Sequence, residues 1–179
     1  WGGLQYLIAD DPTAVLEVAG IDQNAETWWR NQTSGDTGFN DAAAWAAGIQ
    51  SAMNDMYLAT IRGQDVVDLI LADLVTYKGY WESLQANQRL IKVEKGEAGF
   101  HALEFMNAPV IYDSAAPSMH MYFVNTDFLR MRKAPRRWFS DEEAQKIQSA
   151  DYTLFPNWTM ANLTCNNRAR QGVIFSDGV

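Results

Sequence analysis

The side chains able to do chemistry are few and lie far apart. The chain of 179 residues has two histidines, His101 and His120, and one cysteine, Cys165. A zinc site needs at least three protein ligands, and neither histidine has a second histidine or a cysteine at ligand spacing beside it. No metal is therefore expected. No Gly-rich phosphate loop occurs, and Lys95-Gly96-Glu97-Ala98-Gly99 reads as a plain connection, so no cofactor is expected either. Cys165 falls in an expected strand with no histidine near it to lower its pKa, which points to buried packing and not to a nucleophile. A glycosidase-like carboxylate pair would need one acid in an apolar pocket. Asp113, after Val110-Ile111-Tyr112, is the best placed, yet before Ser114-Ala115-Ala116-Pro117 it reads as a turn former. Asp10-Asp11-Pro12 reads as a turn and Asp141-Glu142-Glu143 as the acidic start of a helix. No catalytic residue is assigned, and no enzyme is expected.

Seven tryptophans could instead stack on sugars. Trp45 and Trp81 lie on apolar helical faces, which predicts core. Trp28 and Trp29, in a short expected strand from Glu26 to Arg30, would point one ring inward and one outward, towards a neighbouring subunit.

Several elements must position these residues. The clearest is a helix over 40–62, with Asn40 as N-cap, Asp41 in its first turn and Gly63 as its stop. Trp45, Ile49, Ala52/Met53, Met56 and Ala59/Thr60 form one apolar stripe along it. At about 1.5 Å per residue the rod is roughly 33 Å long. A buried strand over 67–72 follows, then a helix capped by Asp73 with Tyr77, Trp81 and Leu84 on one face. Strands are expected over 102–105, 109–112, 119–124 and 128–131, with Asn107-Ala108 as the turn between the first two. Ser140 with Glu143 three residues on is a capping box for a third helix through Ser149. Residues 152–175 read as extended β structure. The order is α+β with segregated elements.

Composition narrows the classes. Apolar residues make up 47% and charged residues 20%, as in a folded chain. A net charge of −8 disfavours general binding to phosphate backbones. The local exception is Arg130, Arg132, Lys133, Arg136 and Arg137, which reads as a charged strand edge that resists edge-to-edge pairing, or as a phosphate or subunit contact. One cysteine excludes an intrachain disulfide. No run of eighteen apolar residues and no signal peptide are visible, so no membrane is expected among the partners. The chain opens on Trp1, which reads as a fragment or a processed product.

The closing segment reads Trp158-Thr-Met-Ala-Asn162-Leu-Thr-Cys165-Asn166-Asn167-Arg168-Ala-Arg170-Gln171-Gly172-Val173-Ile174. It resembles the closing strand of one family of tailed-phage major capsid proteins. Gly2-Gly3-Leu4, Tyr6-Leu7-Ile8, Ala19-Gly20-Ile21-Asp22 and Trp28-Trp29-Arg30-Asn31 are similar to that family's pattern, in order. So are Asp68-Leu69-Ile70-Leu71, Phe105 with Ala108-Pro109-Val110, and Tyr122-Phe-Val-Asn125-Thr126. The resemblance spans nearly the whole chain and implies the Hong Kong 97-type capsid fold, with a long spine helix and a mixed-sheet axial domain. It implies a peripheral part over 1–64 with the spine helix at 40–62, an axial domain over 65–150, and a return to the peripheral domain over 151–179. The N-terminal arm and most of the extended loop would precede Trp1.

The implied function is mechanical. Copies would self-assemble into pentamers and hexamers and close an icosahedral shell around packaged DNA, without sequence-specific binding. The partners would be copies of the chain itself, with scaffold, portal or decoration proteins besides, and the location the virion, assembled in the host cytoplasm. Some members of the fold cross-link by a Lys–Asn isopeptide bond with a glutamate assisting. Residues 152–179 contain no glutamate, so no self-cross-linking is expected. The rivals are an encapsulin-like nanocompartment shell, a carbohydrate-binding or hydrolytic module, and a phage scaffold or tail protein of unrelated fold.

Overall fold

A computed structural model describes residues 3–14, 17–35, 42–86, 103–141, 145–146 and 153–176. The chain begins with α1 (Leu4–Leu7), the hairpin of β1 (Glu17–Val18) and β2 (Ile21–Asp22), a 3-10 turn over Thr27–Trp29, and β3 (Gln32–Gly35). Helix α2 (Ala42–Thr60) leads through a turn to β4 (Leu69–Ala72) and α3 (Leu74–Ala86). Then come β5 (Leu103–Phe105), β6 (Ala108–Tyr112), β7 (His120–Val124), a 3-10 turn over Thr126–Phe128, and β8 (Leu129–Lys133). The remainder is β9 (Ser140–Asp141), β10 (Gln145–Lys146), β11 (Thr153–Leu154), β12 (Asn157–Trp158), β13 (Ala161–Cys165), a 3-10 turn over Arg168–Arg170, and β14 (Gly172–Phe175).

Six of these strands form one mixed sheet in the order β3-β14-β7-β4-β6-β5. β14 runs parallel to β3 and β4 parallel to β6, while the β14–β7, β7–β4 and β5–β6 pairs are antiparallel. Alternate side chains leave a strand on opposite faces, and both faces of the central strands are apolar. Ile70, Ala72, Val110, Met121, Phe123 and Ile174 meet the two long helices in one cluster. Tyr122, Val124 and Val173 meet Leu7, Ile8, Val18 and Cys165 in the other. The molecule is thus layered as helices, sheet, and N-terminal segment.

The stripe on α2 is where its spacing puts it. Trp45, Ile49 and Met53 have no exposed surface, and Met56 has 2%. The helix has 19 residues, about 28 Å. It ends where the Thr60 hydroxyl donates back to the carbonyls of Met56 and Tyr57. Gly63 follows with φ +65° in a turn closed between Arg62 and Asp65. The expected cap residues Asn40 and Asp41 lie outside the described residues.

Two glycines set how close the layers come. A Cβ at Gly79 would lie 2.7 Å from Cβ of Trp45, so α3 presses onto α2 at that point. A Cβ at Gly172 would run into Met56 and Thr60, so β14 presses onto the same helix. The described parts of α2, of the strands between β4 and β7, and of β14 therefore share one core.

Three local expectations are corrected. Residues 27–29 form a 3-10 turn and not a strand, held by Trp29 N–H donating to the Glu26 carbonyl and Arg30 N–H to that of Thr27. Trp29 is still buried and Trp28 still exposed. In α3 the Gly79 contact turns Tyr80 and Leu84 inward, leaving Trp81 40% exposed against the edge of Tyr77 and not in the core. The third helix expected from Ser140 through Ser149 does not form at its described positions, 140–141 and 145–146. Ser140 and Asp141 pair with Trp158 and Asn157, and Gln145 and Lys146 with Leu154 and Thr153, so a partner distant in sequence overrides the capping box.

These pairs continue the β8–β13 ladder into a two-stranded arm. Hydrogen bonds between Ala134, Arg137 and Met160 link its segments. Its outer portion leaves Phe139, Phe155 and Trp158 exposed.

Candidate functional site

The site begins with a charge in the wrong solvent. Arg168 is fully buried, and burying a guanidinium is tolerated only when its donors are met. Its Nε donates to the Leu7 carbonyl at 2.6 Å, Nη1 to Oε1 of Gln23, and Nη2 to Oδ1 of Asn31 at 2.9 Å. The Trp29 carbonyl stands at 3.5 Å from Nη1. Burial pulls the guanidinium pKa below its ordinary value, the nearby Cys165 and Tyr6 opposing. All these acceptors are neutral, and all belong to residues 7–31. One side chain of the closing segment therefore fastens the whole N-terminal segment.

Neighbouring polar residues extend the fastening. Asn31 donates to the Ala9 carbonyl at 2.8 Å and accepts from its N–H at 3.3 Å. Gln171 and the backbone of Asn125 exchange two bonds of 2.9 Å, and the Asn125 side chain donates to Val66 at 2.8 Å. Asp68 accepts from the backbone N–H of Thr126 at 2.8 Å and from its hydroxyl. Asp73 caps α3 through Thr76 N–H at 2.9 Å and also accepts from Met119 N–H at 2.9 Å. Asn31, Asp68, Asn125, Thr126, Arg168, Gln171 and Gly172 are all residues of the resemblance pattern. Their work is to join distant stretches of chain.

A second link ties the N-terminal segment to the sheet. Nε2 of His120 lies 3.0 Å from a carboxylate oxygen of Asp10, and Nδ1 lies 2.7 Å from the Ser118 carbonyl. The ring stacks on Tyr122 and Phe175 at 6.0 and 5.8 Å. Both ring nitrogens face acceptors, and only imidazolium can donate from both. Burial disfavours the charged form, but the bond to Asp10, the Ser118 carbonyl and the charges of Asp10 and Asp73 outweigh it, so the pKa rises above 6.5.

The other chemical candidates stand apart from one another. His101 lies outside the described residues. Asp113 follows β6 and accepts from Ala115 N–H at 2.9 Å, a turn-forming geometry. Cys165 is buried in the second apolar cluster, and burial pushes its pKa up, against opposing hydrogen bonds and Arg168. No group of three metal-ligating side chains occurs among the described residues. A sugar site would need a cleft with two tryptophans and a carboxylate. Among the described residues, the cleft lined by Trp29 holds no second tryptophan and no carboxylate. No described helix is long and apolar enough to cross a membrane.

A six-stranded mixed sheet, two helices on one face and a two-stranded arm make up a mixed α+β fold. That fold is similar to the fold of a chain of the Cyanophage A-1(L) capsid asymmetric unit, superposable with a TM-score of 0.59 over 97% of this chain at 16% identity. The chain spans 59% of the length of that neighbour. No protein-family model and no curated protein matches the sequence.

Proposed function

We propose that this chain is a structural, non-enzymatic subunit of an icosahedral phage capsid with a Hong Kong 97-type fold. Copies assemble into pentamers and hexamers that close around DNA, in the virion, after assembly in the host cytoplasm. The observation that carries this reading is the fold match over nearly the whole chain to a chain from a phage capsid. The geometry is in keeping with it, because the polar residues of the pattern join distant stretches of the subunit. Within this reading, the part that stands apart from both apolar clusters is the outer portion of the arm with its exposed Phe139, Phe155 and Trp158, while α2 belongs to the core. Scaffold, portal and decoration proteins are further partners of the same reading.

Electron microscopy of the expressed complete gene product tests it. Closed particles or ring-shaped capsomers are expected. A product that stays monomeric at every salt concentration tried would overturn the reading, and shells filled with an enzyme in place of DNA would redirect it to a nanocompartment.

A further inference from the structure

Charge is distributed unevenly along this acidic chain. Arg130, Arg132, Lys133, Arg136 and Arg137 follow one another with no carboxylate between them, so the rest of the chain carries −8 − 5 = −13. All five are exposed. The ion pairs formed among the described residues involve other groups. Lys133 and Arg137 lie over the rings of Trp138 and Trp158, at 5.8 and 5.5 Å, which holds the stretch in place without neutralising it.

Register decides which way the arginines point. Leu129 pairs with Cys165 and Met131 with Leu163, and Leu129, Leu163 and Cys165 belong to the apolar cluster beneath the sheet. Arg130 and Arg132, paired with Thr164 and Asn162, stand on the alternate face, away from the body.

The complementary surface is at the other end of the chain. Residues 3–29 contain Asp10, Asp11, Glu17, Asp22 and Glu26, all exposed, and no lysine or arginine. Asp22 and Glu26 accept from the neighbouring Asn24 and Trp28, while Asp11 accepts from Thr13 with the charge of Arg30 nearby, and Asp10 is paired with His120. Trp28, 61% exposed, stands beside Glu26 as a flat ring edged with negative charge, a surface suited to guanidinium groups. Among the described residues no ion pair joins the two surfaces within one molecule. Leu4, Leu7 and Val18 pack in the cluster on the inner side of the ribbon, and the arginines leave its outer side.

We infer that the outward face of the arm, which carries Arg130 and Arg132, docks on the acidic Trp28-bearing segment, Asp10 to Glu26, of a second copy. This rests on the shell reading and names one of its contacts. It is a heterologous contact, one patch on a different patch, and such contacts propagate into closed rings or lattices. Electrostatic attraction between the patches would set register and speed encounter.

The test uses charge reversal in the complete gene product, with particle yield read by electron microscopy and self-association by sedimentation velocity. The variants are R130E/R132E, D22R/E26R and the four-fold combination. The changed side chains are exposed, and circular dichroism verifies folding. Each double variant is expected to weaken association about tenfold or more, the combination to recover most of it, and wild-type association to fall between about 0.1 M and about 0.5 M salt. If wild type forms particles and R130E/R132E forms them equally well, the inference fails and the shell reading stands. Double variants that are impaired without mutual rescue overturn the pairing. If R130E/R132E loses only retention of a double-stranded DNA probe, the basic face is a phosphate contact and the pairing is wrong. A monomeric wild type would remove both readings together.

Discussion

Arg168 has no carboxylate among its hydrogen-bond partners, and this makes its contribution easy to isolate. Replacing it by methionine would fill much of the space but remove a donor from each of the buried acceptors on Leu7, Gln23 and Asn31. Each such group costs about 1–3 kcal/mol, so a loss of about 3–5 kcal/mol in denaturant unfolding is expected. Arg168→Lys should recover only a minor part, because one ammonium cannot span acceptors on three segments. A loss below about 1 kcal/mol for methionine would show that the hub is not structural. The sequence shows Arg168 only as part of a pattern. Its burial was not legible, because its acceptors lie more than 130 residues away, at positions without periodicity.

His120 gives the residue scale a pH signature. Its folded-state pKa is raised, so its link to Asp10 stabilises fully below the unfolded value of 6.5 and is lost as pH rises through the folded value. His120→Gln should therefore lower the melting temperature more at pH about 5.5 than at pH about 8.5. A larger deficit at the alkaline pH would contradict the assignment. Distance in sequence also hid this pair: Asp10 and His120 are separated by 110 residues.

At the scale of elements, periodicity carried the most. The stripe from Trp45 to Thr60, the Asp73 cap and the strands later found as β4 to β8 are visible locally, because each follows from side-chain spacing or a short-range hydrogen bond. What spacing could not show was the face of α3, which depends on Gly79 meeting Trp45, or the arm, whose strands pair across residues without regular alternation. The stripe itself is testable. Trp45→Asp or Met56→Asp puts a charge where exposure is 0 to 2%, and loss of cooperative unfolding is expected. Unchanged melting would mean that the helix presents another face to the core.

At the scale of the molecule, one shared core holds α2, the sheet and the closing strand, and the charged arm is left for contacts outside it. The resemblance led from the residues to an α+β capsid fold, and the mixed α+β structure shares its fold with a phage capsid chain, the Hong Kong 97 type remaining part of the proposal. It placed the spine helix at 40–62, on a helix that the structure packs against the sheet. The absence of glutamate from 152–179 bears on assembled shells: they should dissolve in SDS to a single band. A ladder of SDS-resistant multimers would show that another carboxylate assists cross-linking.

The most direct measurement is a cryo-electron microscopy reconstruction of particles made by the complete gene product. The account predicts a shell wall of repeated copies in which the six-stranded sheet, α2 and the braced N-terminal segment are traced in each subunit. A wall built from a different polypeptide, or a preparation that contains only monomers, would contradict it.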